Sequence, residues 1–320
     1  MNNILYIVVP CYNEEEVLPE TSKRLMAKIR ALMAAGKVSE ESRIVFVNDG
    51  SKDRTWEIIQ ELHQQDPIFS GICLSRNRGH QNALLAGLMT AKEYADMVIS
   101  LDADLQDDVD AIDAMVDQYL DGCDIVYGVR SSRETDTKFK RGTAQGFYKV
   151  MKWLGVEMKD NHADYRLMSK RALNALGDFK EVNLFLRGLV PMLGFRTGEV
   201  KYERHERFAG ESKYPLKKML NFAWEGITSL SIKPIRFITA LGFIMFFISL
   251  CFLIYFLVRF IIGETVTGWV TIVMSIWILG ALQLIAIGVI GEYIGKIYLE
   301  SKGRPRYIIQ SILLDAQKTE

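Results

Sequence analysis

The sequence has no surplus of either charge: 39 Lys and Arg stand against 39 Asp and Glu in 320 residues. A nucleic-acid binder normally carries a clear basic excess to neutralise phosphates, so that partner class is disfavoured. The four cysteines, Cys11, Cys73, Cys123 and Cys251, show no Cys-x-x-Cys spacing and suggest neither a disulfide framework nor a zinc site. No GxGxxG or GxxxxGK[ST] segment occurs, which removes the Rossmann dinucleotide fingerprint and the P-loop. No cleavable leader is expected either, because Met1-Asn2-Asn3 leads into only six apolar residues before Pro10. Hydrophobic residues make up 49% of the chain, close to soluble averages, which argues against disorder or a multi-span transporter.

Charge is missing altogether from two stretches, the 22 residues Phe237–Val258 and the run Thr265–Gly291. Each exceeds the roughly 20 apolar residues that cross a hydrocarbon core as a helix. Buried core helices seldom stay uncharged for so long, so the spacing predicts two transmembrane helices, at about 236–260 and about 268–291. The turn around Gly263-Glu264-Thr265 has no Lys or Arg. Lys217, Lys218, Lys233 and Arg236 precede the first run, and Lys296, Lys302, Arg304 and Arg306 follow the second. The positive-inside bias then predicts a hairpin within 236–293 with both flanks cytoplasmic. The basic flanks show in the counts: residues 201–236 hold eight Lys or Arg against four acids, and residues 294–320 hold five against three. An anionic leaflet favours such segments.

Within 211–235, Leu216, Met219, Leu220, Ala223, Ile227 and Leu230 recur at helical spacing, opposite Lys217, Lys218, Asn221, Glu225 and Ser229. Periodicity alone fits either an interfacial helix or one packed on a soluble domain; its place beside a span favours the interface. Residues 294–320 are expected as a cytosolic tail and 1–210 as a cytosolic domain.

In that domain short apolar runs, Ile4–Val9, Ile44–Val47, Ile72–Leu74, Met97–Leu101 and Ile125–Tyr127, alternate with helical patterns at Glu15–Ala34, Arg54–His63, Asn82–Tyr94 and Val109–Leu120. The alternation predicts an α/β fold, a Rossmann-like, mainly parallel sheet with flanking helices. Ligands of such sheets bind beyond the strands' carboxyl ends. Polar clusters stand there: Cys11-Tyr12-Asn13-Glu14, Asn48-Asp49-Gly50-Ser51, Ser75-Arg76-Asn77-Arg78-Gly79 and Asp102-Ala103-Asp104. Taken singly, Asn13, Asp49 and Ser51 are expected to cap local turns and helices. Four clusters at successive strand ends are harder to assign to capping.

The most chemical of them is Asp102-Ala103-Asp104-Leu105-Gln106-Asp107, directly after an apolar strand. Two carboxylates and an amide carbonyl at alternate positions can face one hard cation, and Mg²⁺ or Mn²⁺ held by few protein ligands characteristically bridges to substrate phosphates. An EF-hand loop is excluded, since a strand enters this loop and Asp107 stands where glycine is required. Asp110, Asp113, Asp117 and Asp121 follow at three- and four-residue steps, as on the solvated face of a helix.

Together, Val-Val-Pro-Cys-Tyr-Asn-Glu-Glu (8–15), Val-Asn-Asp-Gly-Ser-Lys-Asp-Arg-Thr (47–55), Leu-Ser-Arg-Asn-Arg-Gly (74–79) and Asp-Ala-Asp-Leu-Gln-Asp (102–107) resemble the successive motifs of inverting GT-A glycosyltransferases of family 2. Ala163-Asp164-Tyr165-Arg166-Leu167-Met168 and Glu206–Tyr214 are similar to later motifs of the polyprenyl-phosphate sugar transferases, dolichyl-phosphate mannose synthase and the bacterial undecaprenyl-phosphate (bactoprenol) glucosyltransferases. The two-span tail resembles the bacterial branch, and the likeness covers essentially the whole chain. The resemblance implies that Pro10, Tyr12, Glu14, Val47 and Asp49 hold the base and ribose of a UDP-sugar, with Asp102 and Ala103 closing over it. It implies Asp104 and Gln106 as ligands of Mg²⁺ or Mn²⁺, and Arg130, Arg207, Ser212 and Lys213 as phosphate-binding groups. Asp164 matches a position proposed as catalytic base; a lipid phosphate is already anionic, so Asp164 could instead orient Arg166 or the sugar. Arg133, Lys140 and Arg141, between Arg130 and a helix expected at Gly146–Leu154, are further cationic candidates, read first as a solvated basic face.

The partners implied are a UDP-sugar, UDP-glucose first, undecaprenyl phosphate and the bilayer of a bacterial inner membrane, with a homo-oligomer and a flippase as further expectations. A processive polysaccharide synthase of the same fold would carry Gln-x-x-Arg-Trp, which is absent here. A non-catalytic nucleotide-sugar-binding scaffold is the rival from another class, and intact Asp102, Asp104 and Gln106 weigh against it.

Overall fold

The computed structural model describes residues 3–130, 162–182, 185–203, 233–262 and 269–314. The expected interfacial helix, the turn at 263–265, and Arg133, Lys140, Arg141, Arg207, Ser212 and Lys213 lie outside the described residues. The chain forms two compact units, one of Met1–Tyr148, Glu157–Pro215 and Arg304–Glu320, the other of Lys149–Val156 and Leu216–Gly303.

The first unit opens with alternating strands and helices: β1 (Leu5–Cys11), α1 (Leu18–Ala34), β2 (Arg43–Asn48), α2 (Thr55–Gln65), β3 (Phe69–Leu74), α3 (His80–Ala91), β4 (Met97–Ser100), α4 (Ala111–Leu120) and β5 (Ile125–Arg130). After it come β6 (His162–Ser169), α5 (Lys170–Asp178), α6 (Leu186–Met192) and β7 (Thr197–Tyr202), while β8 (Ile309–Leu313) returns from the far end of the chain. All eight strands join one sheet in the order β7-β5-β6-β4-β1-β2-β3-β8. Strands β4, β1, β2 and β3 are parallel, β6 runs antiparallel between β4 and β5, and β8 closes the edge antiparallel to β3. The expected mainly parallel α/β sheet is thus present, with two antiparallel strands added.

β1, β2, β3 and β4 are near-continuous apolar runs because helices cover both faces of a parallel sheet, and nearly every residue in them is buried. Helix α3 lies directly on the sheet: a Cβ added at Gly87 would stand 2.4 Å from Val8 Cγ1 and 2.7 Å from Val47 Cγ2. Only glycine lets the helix come so near. This fixes the amino end of α3 over the carboxyl ends of β1 and β2.

The segment expected as a tail does more than trail. Ile309–Leu313 pairs with Gly71–Leu74, Ser75 N donates to Ile308 O at 3.0 Å, and Arg306 Nη1 donates to Phe179 O at 3.0 Å. The short, alternating Ile-Gln-Ser-Ile-Leu suits an edge strand with one wet side.

The second unit contains two long helices, α7 (Lys233–Ile261, 29 residues) and α8 (Trp269–Ser301, 33 residues), on the two uncharged runs. At 1.5 Å per residue each exceeds the roughly 30 Å of a hydrocarbon core. Among the described residues one stretch qualifies by length and composition as a candidate span, Ile278–Ser301. Its side chains include exposed Leu284, Ile285, Ile287 and Ile294, an apolar surface of the kind that seeks lipid or a partner.

Candidate active site

The antiparallel course of β6 assembles the site. Ser100, the last residue of β4, pairs with Arg166, so the chain two residues earlier on β6 lies beside the chain two residues later after β4. Asp164 is thereby brought against Asp102, and Ser100 Oγ fixes the crossing by donating to the Asp164 carbonyl at 2.5 Å.

Asp164 is buried and accepts from Arg166 Nη2 at 2.5 Å and from Arg187 Nη2 at 3.1 Å and Nε at 3.4 Å. Burial works to raise its pKa, but Arg187, His80 and Arg166 outweigh it and hold the carboxyl well below the usual range. Arg166 is itself buried, which pulls its own pKa down although Asp164 opposes this. The arginines thus favour the ionised form of Asp164.

His80, the first residue of α3, bridges the two acids: Nε2 lies 3.5 Å from Asp102 Oδ1 and 3.6 Å from Asp164 Oδ2. Desolvation works against its charged form, yet Asp164 and Asp102 raise its pKa. Asp102 is pushed up, first by burial, then by the charges of Asp164 and Asp104 against the relief of His80. Beside it Gln81 Oε1 accepts from Leu186 N at 2.9 Å, tying α3 to the start of α6.

The Asp102–Asp107 loop is held from both sides. Buried Thr21 Oγ1 on α1 donates to the Ala103 carbonyl at 2.8 Å, and Gln106 N donates to Asp104 Oδ1 at 3.2 Å. Between Asp104 and Gln106, buried Leu105 takes a positive φ of 55°, which costs an L side chain roughly 1–2 kcal/mol. Asp107 is buried, its Oδ1 accepting from Tyr202 Oη at 2.5 Å and lying 3.7 Å from Arg130 Nη2, while its Oδ2 has no hydrogen-bond partner. Burial, then the Asp102 charge, raises its pKa to about 6 against the Tyr202 hydrogen bond. Arg130 Nε also donates to Tyr202 Oη at 3.3 Å.

Asp49, at the end of β2, is buried and accepts from the amides of Arg78 at 2.7 Å and Gly79 at 2.9 Å; burial raises its pKa against those bonds. Gly50 follows with φ 63°, and a Cβ there would meet Asn77 N at 2.6 Å. Asn13 caps no helix: its Oδ1 accepts from Lys52 N at 2.9 Å and its own N donates to Ser51 Oγ at 3.0 Å, so it ties the β1 and β2 loops together. The residue preceding α1 is Val17, without a side-chain cap. Tyr12 is exposed, Glu14 half-buried, and Pro10 and Val47 are buried and paired across β1 and β2. Glu14 lines a cavity of about 430 Å³ with Asn13, Lys52 and Asp53 that does not reach Asp102, Asp104 or Asp164.

The acidic stripe of α4 is solvent-facing as expected, and it also meets α1: Lys28 Nζ lies 2.6 Å from Asp110 and 2.5 Å from Asp113, and Lys37 Nζ 2.5 Å from Asp117. A hard divalent cation fits the Asp104–Gln106 loop by donor chemistry, one half-buried carboxylate and one amide oxygen leaving positions for phosphate oxygens. Among the described residues no three His, Cys, Asp or Glu side chains cluster as a self-sufficient metal cage.

Carboxylates at the ends of β2 and β4, a third at the start of β6 and an Asp-x-Asp-x-Gln loop thus stand at the carboxyl end of a mainly parallel sheet, an arrangement suited to a polar, phosphate-bearing ligand. The chain belongs to glycosyltransferase family 2, whose family model, "Glycosyl transferase family 2", matches residues 6–177. It is 54% identical over 314 residues to the uncharacterised glycosyltransferase YkoT of Bacillus subtilis (strain 168), covering 98% of this chain and 93% of that protein. It is 40% identical over 309 residues to the bactoprenol glucosyl transferase of Shigella phage SfX, covering 95% and 98%. Among solved structures it is similar to mannosyl-3-phosphoglycerate synthase from Rubrobacter xylanophilus, at 14% identity and a TM-score of 0.46 over 71% of this chain and 73% of that one.

His80, Arg187 and Tyr202 join the candidate site without standing in any of the motifs, and Asp107 stands in one without a role assigned to it there. His80 directly follows the Arg-Asn-Arg-Gly cluster, and its place at the start of the helix after that strand-end loop was the available signal. Arg187 and Tyr202 lie 23 and 95 residues from the acids they bind, a separation that only the sheet topology closes.

Proposed function

We propose that the chain moves a sugar, with glucose the first choice, from a UDP-sugar to undecaprenyl phosphate at a membrane. The observation that carries this reading is the meeting of Asp102 and Asp164 at the carboxyl end of the parallel strands, with Asp49 at the end of β2, in a chain 40% identical over nearly its whole length to a bactoprenol glucosyl transferase.

In this reading Pro10, Tyr12, Glu14, Val47 and Asp49 bind the base and ribose, Asp102 and Ala103 close over the donor, and Arg130 with Arg207, Ser212 and Lys213 binds phosphates. Asp104 and Gln106 would hold Mg²⁺ or Mn²⁺, which when bound supplies positive charge to a leaving diphosphate. An oxygen of the lipid phosphate attacks the anomeric carbon as the bond to the UDP oxygen breaks, and the configuration inverts. The phosphate is already an anionic nucleophile, so no general base is needed. Asp164, kept ionised by its arginines, orients Arg166 and Arg187 rather than taking a proton. Several cations are required because donor and acceptor are both anionic.

The lipid acceptor supports a membrane reading in which α7 and α8 are two spans with the catalytic domain and both termini cytosolic. The basic segments 201–236 and 294–320 fit that side, and the family resemblance favours a homo-oligomer. A panel of labelled nucleotide sugars offered with undecaprenyl phosphate, with Mg²⁺ or with Mn²⁺, tests the chemistry; lipid-linked product from UDP-glucose is expected, and none from any common donor contradicts it. Reporters at residue 266 and at the carboxyl terminus test the topology, with opposite sides expected and the same side contradicting the hairpin.

A further inference from the structure

The imidazole that joins the two acids of the cleft stands where a helix does not favour its charged form. His80 is the first residue of α3, and the amino end of a helix carries partial positive charge that opposes an imidazolium. What holds it are Asp102 and Asp164, both reached by the same Nε2. These acids come from different strands: Asp102 follows β4 in the loop that also carries Asp104, and Asp164 lies on β6 beside Arg166 and Arg187. Without a cation between them two carboxylates this close repel.

The platform under His80 is rigid. Ala83–Leu88 of α3 are buried, Gly87 sits against Val8 and Val47, and Gln81 anchors Leu186 N. A side chain fixed at such a point sets the position of the groups it binds, whereas one on a loose loop would follow them.

We propose that His80 is a positioning residue for sugar transfer, a cationic clasp that holds the donor-side loop through Asp102 against the Asp164–Arg166–Arg187 cluster. This rests on the glycosyl-transfer reading above. By keeping Asp102 turned toward Asp164, the clasp sets where the donor sugar lies relative to the arginines on the other side of the cleft. Misplacement of a reacting group by about 1 Å can cost a hundredfold in rate. The loss therefore falls on turnover more than on donor binding, most of which is made at the β1 and β2 loops. A charged side chain that can reach both carboxylates from position 80 substitutes for imidazole, and a neutral one does not.

The test compares the full chain with His80→Gln and His80→Lys, measuring kcat and the donor KM with labelled UDP-glucose and undecaprenyl phosphate. His80→Gln is expected to lower kcat by about tenfold or more while the donor KM moves less than about threefold, and His80→Lys to recover most of kcat. Wild-type kcat in His80→Gln overturns the inference, as does an equal loss in both variants or a loss confined to KM. No lipid-linked product from the wild-type chain overturns the function reading itself, an outcome distinct from all of these.

Discussion

Asp164 and Arg166 stand two residues apart on one strand, so their side chains leave the same face of the sheet and meet as a buried ion pair, Oδ1 to Nη2 at 2.5 Å. Arg187 completes the pair from α6. Taking either charge away leaves the other desolvated, and breaking a buried pair typically costs several kcal/mol.

Asp164→Asn is therefore expected to destabilise the first unit by about 3–5 kcal/mol, read as a lowered unfolding transition in detergent. An unchanged transition contradicts the buried-pair account. The same geometry predicts that the wild-type pH-rate profile has no limb from Asp164 between about pH 5 and pH 8, because a carboxylate held well below its ordinary range does not titrate there.

Asp107 gives the opposite sign. Its folded pKa is raised to about 6, with burial the first cause, against an unfolded value of about 3.9. The stability it contributes is fully present below about pH 4 and is lost as pH rises through about 6, by about 3 kcal/mol. In metal-free buffer Asp107→Asn should flatten this part of the stability-pH curve, gaining on the wild type between pH 5 and 7. Parallel curves for the two proteins contradict the assignment.

Gly87 and Gly50 are close-approach positions with different expected consequences. In Gly87→Ala a methyl group must displace Val8 and Val47, and overpacking of this kind costs about 1–3 kcal/mol, so thermal stability falls. Gly50→Ala adds a positive φ to a backbone clash with Arg76 and Asn77, whose neighbours Arg78 and Gly79 bind Asp49. There the expected effect is a raised donor KM. A wild-type melting curve for the first, or a wild-type KM for the second, tells against these packing arguments.

The strands from β1 to β5 and the helices between them were legible in the sequence because each is a short apolar run or a 3.6-residue pattern bounded by polar turns. Strands β6, β7 and β8 were not delimited, since His162–Ser169 mixes charges into its centre and Thr197–Tyr202 and Ile309–Leu313 are edge or near-edge strands with one wet face. Two polar residues read as local caps proved to bind across loops: Asn13 reaches Lys52, and Asp49 reaches Arg78 and Gly79. Asp164 and Asp102 could be named from their motifs. Their partners His80 and Arg187 could not, nor could Tyr202, the partner of Asp107, because pairing across antiparallel β6 and parallel β7 is long-range information that no local window contains.

Transfer of glucose to a polyprenyl phosphate through the strand-end acids is read out by the yield of lipid-linked sugar when labelled UDP-glucose is incubated with the purified chain, divalent metal and undecaprenyl phosphate, for the wild type beside Asp104→Ala. The wild type is expected to give a chloroform-soluble glucosyl phosphate that requires the lipid phosphate and vanishes in the variant. Equal product from both proteins, or none from the wild type with any common nucleotide sugar, would contradict it.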